Sequence, residues 1–497
     1  MSAEVAHARS METPFAKRVR VAMIAVFSAL GATLFGLDIG YIGPIVESTS
    51  FERDVVHTDN GKIPGSTEGL IVSLFSLGAI CTSFPPVSSY FLDVWGRKAS
   101  IMIGSCIFIL GSLLQLTATG SLQMLVGRFV AGMSIGLLSS VIVLYQSEVA
   151  PASMRGGLST LYQLGITFGI LIAAYIDQML VGKDEGWRAV MGIICIPAVL
   201  LLLGMMMLPR SPRWLVQTGK RDEALEVLKS IRSEEEALQE ELEIHEELLK
   251  SKADGEPLWS ELLQGRVLRL CILGITLQLL QQLVGMNAFM YFGPKIFESI
   301  GVKKNMFTTI NNLVNFLSTF PAVFLADRLG RRQLMLWSSI GMFLSCMLMG
   351  VFGLMFVKAD ELTGAYTVDN KGAQWVITLS TFFFVFNFAY GFGPIIWVYC
   401  AEIFPLRYRA RCIGVSTMAN WVGNFIIAQF TPMLLDGIGF GTFFVFGFFC
   451  FVSIFLSAWI PETKGVPLEL VQQLFDGKAG FACTATVEKK PTIEVDI

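Results

Sequence analysis

Residues 93–98 read Asp-Val-Trp-Gly-Arg-Lys, and residues 327–332 read Asp-Arg-Leu-Gly-Arg-Arg. Each is a charged turn set between two apolar blocks. A block of roughly twenty residues crosses a ~30 Å hydrocarbon core as a helix rising 1.5 Å per residue. Extended outward from these two turns, the blocks place spans near 21–46, 67–91, 100–117, 123–146, 156–180 and 188–208. Six more fall near 267–297, 306–326, 333–357, 374–400, 411–435 and 440–460.

Two further motifs recur in the same order. Glu148-x-x-Pro151-x-x-x-Arg155 follows the fourth block, and Glu402-x-x-Pro405-x-x-x-Arg409 follows the tenth. Each half closes on a proline-led polar segment, Pro209-Arg210-Ser211-Pro212-Arg213 and Pro461-Glu462-Thr463-Lys464-Gly465. Three motif pairs, each six spans apart, predict two homologous halves. The expected fold is an all-α membrane protein of twelve transmembrane helices. Its parts are an N-terminal segment 1–20, a six-helix half 21–208, a helical linker 209–265, a second half 266–460 and a tail 461–497. The linker's run RDEALEVLKSIRSEEEALQEELEIHEELLK is dominated by helix formers and reads as a solvated helical segment.

Composition agrees and excludes other classes. Of 497 residues, 53% are hydrophobic and 15% charged, where soluble domains carry about 25% charged. A net charge of −3 gives no basic surface for nucleic acid. His7, His57 and His245 all lie outside the apolar blocks, which excludes an intramembrane His-ligated haem or zinc. No phosphate-loop sequence occurs, and no nucleophile–base–orienter set is visible, so neither ATP-driven transport nor catalysis is expected. The cysteines sit mostly in apolar blocks and form no disulfide framework. No cofactor or metal is expected. Lys17, Arg18 and Arg20 precede an apolar run that lacks a small-residue cleavage site and continues past Gly40, so it reads as a first span.

An even span count puts both termini on one side. Arg97, Lys98, Arg155, Arg328, Arg331, Arg332, Arg407, Arg409 and Arg411 all fall at that face, which the positive-inside rule makes cytosolic. The acids beside them, Asp93, Glu148, Asp327 and Glu402, offer ion pairs at helix ends. Such pairs would latch the halves together at the cytosolic side while the outer side is open, or would only anchor helix ends and set topology.

Asp38, in Phe-Gly-Leu-Asp-Ile-Gly, and Arg128, opening the fourth span, lie deeper. A lone charge at the bilayer centre costs roughly 2.5–3.5 kcal/mol even on the lenient insertion scale, so the two are expected to pair. That pair is either a proton switch or a permanent structural bond. Glycine and proline interrupt spans 1 and 7 and spans 4 and 10, at matching places in the two halves. Uncharged amides abound: Gln163, Gln278, Gln281, Gln282, Asn287, Asn311, Asn312, Asn315, Asn387, Asn420, Asn424 and Gln429. They should face the bundle interior, since an unpaired amide in lipid is costly. Donors and acceptors together suit the hydroxyls of a neutral polyol, and Trp397 and Trp421 suit the apolar face of a pyranose; some of these amides would serve instead as hydrogen-bonding glue between helices.

Over about residues 20–470 the chain resembles the sugar porter family of the major facilitator superfamily. The resemblance rests on FGLDIG (35–40), DVWGRK (93–98), GRFVAG (127–132), EVAPASMRG (148–156), PRSPRWL (209–215), QQLVGMNAFMYFGP (281–294), DRLGRR (327–332), GPIIWVYCAEIFP (393–405), NWVGNF (420–425) and PETKG (461–465). It implies monosaccharide transport by alternating access. It implies sugar contacts at Gln163, Gln281, Gln282, Asn287, Asn315, Trp397 and Asn420, and proton coupling at Asp38 with Arg128. The repeated charges Asp93, Arg97, Glu148, Arg155, Asp327, Arg331, Glu402 and Arg409 are the expected cytosolic gate. Departures from the family pattern include Ile396 in Pro394-Ile395-Ile396-Trp397, Phe292 after Tyr291, Ala389, and Leu280 before Gln281. The hexose stays open on these grounds.

The expected protein is a monomeric, multi-pass sugar:proton symporter of the plasma membrane, its termini cytosolic and its partners a hexose, protons and lipid. A facilitator with a structural Asp38–Arg128 pair is the alternative, and a sugar receptor without flux the third reading.

Overall fold

The computed structural model describes residues 15–57, 63–150, 155–181, 183–253, 259–359, 366–368, 370–405, 408–464 and 472–475. Among them, ten helical runs are long and apolar enough to cross a membrane. The last run holds two helices, Arg409–Ile438 and Thr442–Trp459, joined by a tight turn at Gly439–Gly441. Lys304–Leu329 is the eighth long helix, packed along the fifth. The halves meet where the second span (Gly65–Ser83, continuing through Pro85–Tyr90) packs on the eleventh (Arg409–Ile438), and where the fifth (Arg155–Leu180) packs on the eighth. The chain is therefore a two-half helical bundle, with one departure from all-α: Val357–Ala359 and Tyr366–Val368 pair as a small antiparallel hairpin between the ninth and tenth spans.

The turns after the second and eighth spans explain their shared glycine. Gly96 adopts φ +78° and Gly330 φ +94°, left-handed conformations that cost an L side chain roughly 1–2 kcal/mol. Each glycine lets the chain reverse within a few residues, and the following arginine, Arg97 or Arg331, starts back into the bundle.

The expectation of matching interruptions holds in part. The seventh span is broken into Gly265–Leu283, Met286–Tyr291 and Gly293–Ser299, and the tenth passes through a π-helical turn, Phe388–Phe392, before Gly393–Ile403. The first is divided only at Ala29, between Phe15–Ser28 and Leu30–Val46, and the fourth, Ser121–Val149, is one unbroken 29-residue helix. In that helix glycine serves close packing: a Cβ on Gly132 would stand 1.9 Å from the Phe75 carbonyl oxygen of the second span.

Between the halves, Pro212–Gln217, Arg221–Ile231 and Glu234–Ala253 form a helical cluster around Leu215, Val216, Ala224 and Ile244. It is tied to the start of the first span, where Lys17 Nζ donates to the carbonyls of Lys229 and Arg232, both at 2.7 Å. These donations satisfy carbonyls at the end of a helix, where they otherwise lack partners.

Candidate functional site

Asp38 and Arg128 lie where the first, second, third and fourth spans converge, both fully buried. Arg128 Nη1 stands 2.6 Å from Asp38 Oδ1. The Tyr41 hydroxyl donates to the same oxygen at 2.7 Å and accepts from Arg128 Nη1 at 3.1 Å. Arg128 further donates through Nε to the Ile71 carbonyl (3.0 Å) and through Nη2 to that of Val72 (3.3 Å), with the Phe75 ring 4.8 Å from its guanidinium carbon. Asp38 Oδ2 has no partner. Tyr41 was not singled out from the sequence, although its place three residues after Asp38 puts it on the same helix face.

Four of the candidate sugar contacts, Gln281, Gln282, Asn287 and Asn420, form one linked group on the second half, while Gln163 lies on the fifth span of the first half. Asn420 Nδ2 donates to Gln281 Oε1 (2.6 Å) and Gln278 Oε1 (2.7 Å), while Gln282 Nε2 donates to Asn420 Oδ1 at 2.8 Å. Asn287 Nδ2 donates to Gln282 Oε1 at 2.6 Å, and Gln281 Nε2 donates to the Gly393 carbonyl of the tenth span. Asn315 is turned to Met290 Sδ at 3.8 Å. Gln163, Asn287 and Trp397 keep partial exposure. Trp421 is instead buried against Phe35, with ring centroids 4.9 Å apart. The amides bond one another, so any hydroxyl that enters exchanges amide–amide bonds for amide–hydroxyl ones.

The face that carries the repeated motifs holds two matching clusters. In the first half, Arg97 Nη2 meets Glu148 Oε1 at 2.7 Å, Ser211 Oγ donates to Glu148 Oε2, and the Tyr145 hydroxyl donates to the Pro209 carbonyl at 2.9 Å. In the second half, Arg331 Nη2 meets Glu402 Oε1 at 2.8 Å, Thr463 Oγ1 donates to Glu402 Oε2 at 2.6 Å, and the Tyr399 hydroxyl donates to the Pro461 carbonyl at 3.0 Å. The three repeated motifs thus converge on one cluster in each half. Both of these ion pairs run within a half. Asp93 Oδ1 lies 4.0 Å from Arg97 Nη1, and Arg409 Nε donates to the Phe404 carbonyl at 3.3 Å. The side chains of Arg155 and Asp327 lie outside the described residues.

A charged contact between the halves lies at the opposite face. Lys295 Nζ, at the end of the seventh span, reaches Glu68 Oε2 of the second at 3.4 Å and Asp436 Oδ1 of the eleventh at 2.9 Å. Just below, a Cβ on Gly43 would stand 2.0 Å from the Tyr291 carbonyl oxygen, and the Tyr291 hydroxyl donates to Asn424 Oδ1 at 3.0 Å. The bundle is therefore closed at this face, with the partly exposed Gln163, Asn287 and Trp397 on the motif side of the closure.

This geometry has close counterparts among known proteins. A family model described as sugar (and other) transporter matches residues 24–475. The galactose-proton symporter of Escherichia coli K12 is 35% identical over 90% of this chain and 93% of its own length. The low-affinity glucose transporter HXT1 of Saccharomyces cerevisiae is 32% identical over 92% of this chain and 82% of its own. The proton:xylose symporter XylE of E. coli, solved with 6-bromo-6-deoxy-D-glucose, superposes with a TM-score of 0.77 at 26% identity, over 92% of this chain and 99% of that one.

The chain belongs to the sugar porter family. It is an integral, multi-pass membrane protein of the major facilitator fold. Within this sugar porter, sequence reading missed Lys295, Glu68 and Asp436. None belongs to a repeated motif, the signal that exposed Arg97, Glu148, Arg331 and Glu402. Tyr145 and Tyr399 do have a legible signal, a shared Tyr-x-x-Glu-x-x-Pro spacing at 145–151 and 399–405.

Proposed function

We propose that this protein moves a monosaccharide across the plasma membrane by alternating access, with proton symport through Asp38 and Arg128. The motif face and both termini are cytosolic in this reading, and the conformation described is closed to the outside. The observation that carries it is the fully buried Asp38 beside Arg128, with one carboxylate oxygen held by two donors and the other without a partner.

In the paired state, Arg128 ties the first span to the second through Asp38 and the carbonyls of Ile71 and Val72. A proton on Asp38 removes the charge that holds Arg128 and loosens this junction. The first span then shifts at its outer end, where Gly43 packs on Tyr291. Tyr291 bonds Asn424, one helical turn from Asn420 at the centre of the amide group. The contacts are contiguous from the proton site to the sugar amides. Gln163, Gln281, Gln282, Asn287, Asn315, Trp397 and Asn420 hold the sugar; Arg97, Glu148, Arg331 and Glu402, with Asp93, Arg155, Asp327 and Arg409, form the cytosolic gate.

A facilitator is the second reading. It is favoured by the bonds from Arg128 to two backbone carbonyls, which would hold the pair as a fixed strut. A substrate panel in transport-deficient cells, with and without a protonophore, separates the two. Symport predicts that the protonophore abolishes accumulation of the best sugar; equal uptake in both conditions supports the facilitator. The experiment also names the sugar.

A further inference from the structure

A cavity of about 400 Å³ lies at the closed face between the halves, lined by Pro44, Ser50, Asp177, Pro294 and Thr308 among others. Asp177, in the apolar run Ala-Ala-Tyr-Ile-Asp-Gln-Met-Leu of the fifth span, is only 4% exposed, and neither of its oxygens has a hydrogen-bond partner. Two more groups on the same wall, Ser50 Oγ and Thr308 Oγ1, are also buried and unpartnered. Four orphaned polar atoms thus line one inter-half cavity, which also carries the exposed Arg53 and Asp184.

The cavity lining carries four other charged groups. Glu47 comes from the end of the first span, and Arg53, Lys183 and Asp184 come from the adjoining loops. Arg53 pairs with Asp54 at 2.9 Å and Asp184 at 3.0 Å, and no described cation lies within ion-pairing distance of Asp177. The eighth span contributes Thr308 and Thr309, and the seventh Pro294. An ionised carboxylate without a partner costs far more to bury than the neutral acid.

We propose that Asp177 is a second proton-binding site, loaded from the outer solution as the outer face closes and unloaded to it as that face opens. The proposal rests on the alternating-access reading and on the sidedness given above. Its proton enters and leaves on one side, so it adds nothing to the sugar:proton ratio. It makes external acid favour the closed outer face. Glu68, at the same face, acts with the opposite sign, because protonating it weakens its bridge to Lys295 of the other half; Asp436 pairs with Lys295 within the second half.

The test is the distance between spin labels at two exposed outer-face positions, Leu122→Cys and Met306→Cys, read by electron–electron resonance. The full-length protein in lipid is used, with accessible native cysteines replaced, in mildly acidic and mildly alkaline buffer. In an Asp38→Asn background, the ratio of closed to open outer face should rise toward acid, by up to about tenfold per pH unit for one linked proton. Adding Asp177→Asn or Asp177→Ser should remove that rise, and Asp177→Glu should retain it. An unchanged rise in the neutral variants overturns the proposal, as does a background that shows no rise. Sugar-driven proton flux reports separately: it should persist at the same ratio per sugar in Asp177→Asn with Asp38 intact. Its loss in the Asp38→Asn variant tests symport, whatever the outcome at Asp177.

Discussion

Asp38 holds Arg128 through one oxygen, at 2.6 Å, and leaves the other unpartnered in the closed interior of the first half. The guanidinium is satisfied in several directions at once, and the carboxylate in one. A proton can therefore arrive at Oδ2 with the bonds from Arg128 to Ile71 and Val72 still in place. Arg128→Lys keeps the charge but loses the planar fork that spans these acceptors. It should lower the rate of sugar-coupled turnover more than it weakens sugar binding, as compared in transport and equilibrium-binding assays. Wild-type turnover in that variant would contradict the role given to the fork.

Gln282 is bonded on both sides, to Asn420 and by Asn287. Gln282→Ala removes one amide and leaves two others short of a partner. Sugar binding should weaken by about 1–3 kcal/mol, roughly 5- to 150-fold in Kd. Isothermal calorimetry or counterflow competition measures it, and an unchanged affinity would place the sugar elsewhere.

Arg97 and Glu148 are both buried, and Glu148 is held further by Ser211. Arg97→Ala leaves a buried carboxylate without its cation. The loss in stability should be about 3–5 kcal/mol, against a small effect for the double change Arg97→Met with Glu148→Gln. Thermal unfolding in detergent compares the two. Arg331 and Glu402 should behave alike, because their cluster repeats the same contacts with Thr463 in place of Ser211.

Lys295 pairs with Glu68 of the other half and with Asp436 of its own, and it is partly exposed. Lys295→Ala should favour the open outer face by up to roughly 1 kcal/mol, about fivefold, with the wild-type bridge weakening in high salt. The label distances described above read this directly. A variant that stays as closed as the parent would show that the spans hold this face without the ion bridge.

Duplication made the architecture legible. Asp93 to Lys98 and Asp327 to Arg332 mark turns that both halves must make, with glycine at the same left-handed position. Glu148 and Glu402 recur because each closes an equivalent cluster. What duplication cannot reveal is a residue present once. Asp177, Lys295 and Glu68 serve the contact between unlike surfaces of the two halves, so no second copy points to them. Which partners Arg97 and Arg331 take stayed open for another reason. Spacing along the chain shows that charges share a face but not which neighbour each one meets. The hairpin at 357–368 was missed because its strands are only three residues long.

Coupling at Asp38 is tested most directly in liposomes that contain the purified protein and a pH-sensitive dye, driven by a gradient of the best sugar. The wild type should carry protons with the sugar in the same direction. Asp38→Asn should still exchange labelled for unlabelled sugar while moving no protons. Sugar flux in the wild type without any proton movement, or undiminished proton movement in Asp38→Asn, would contradict symport through this pair.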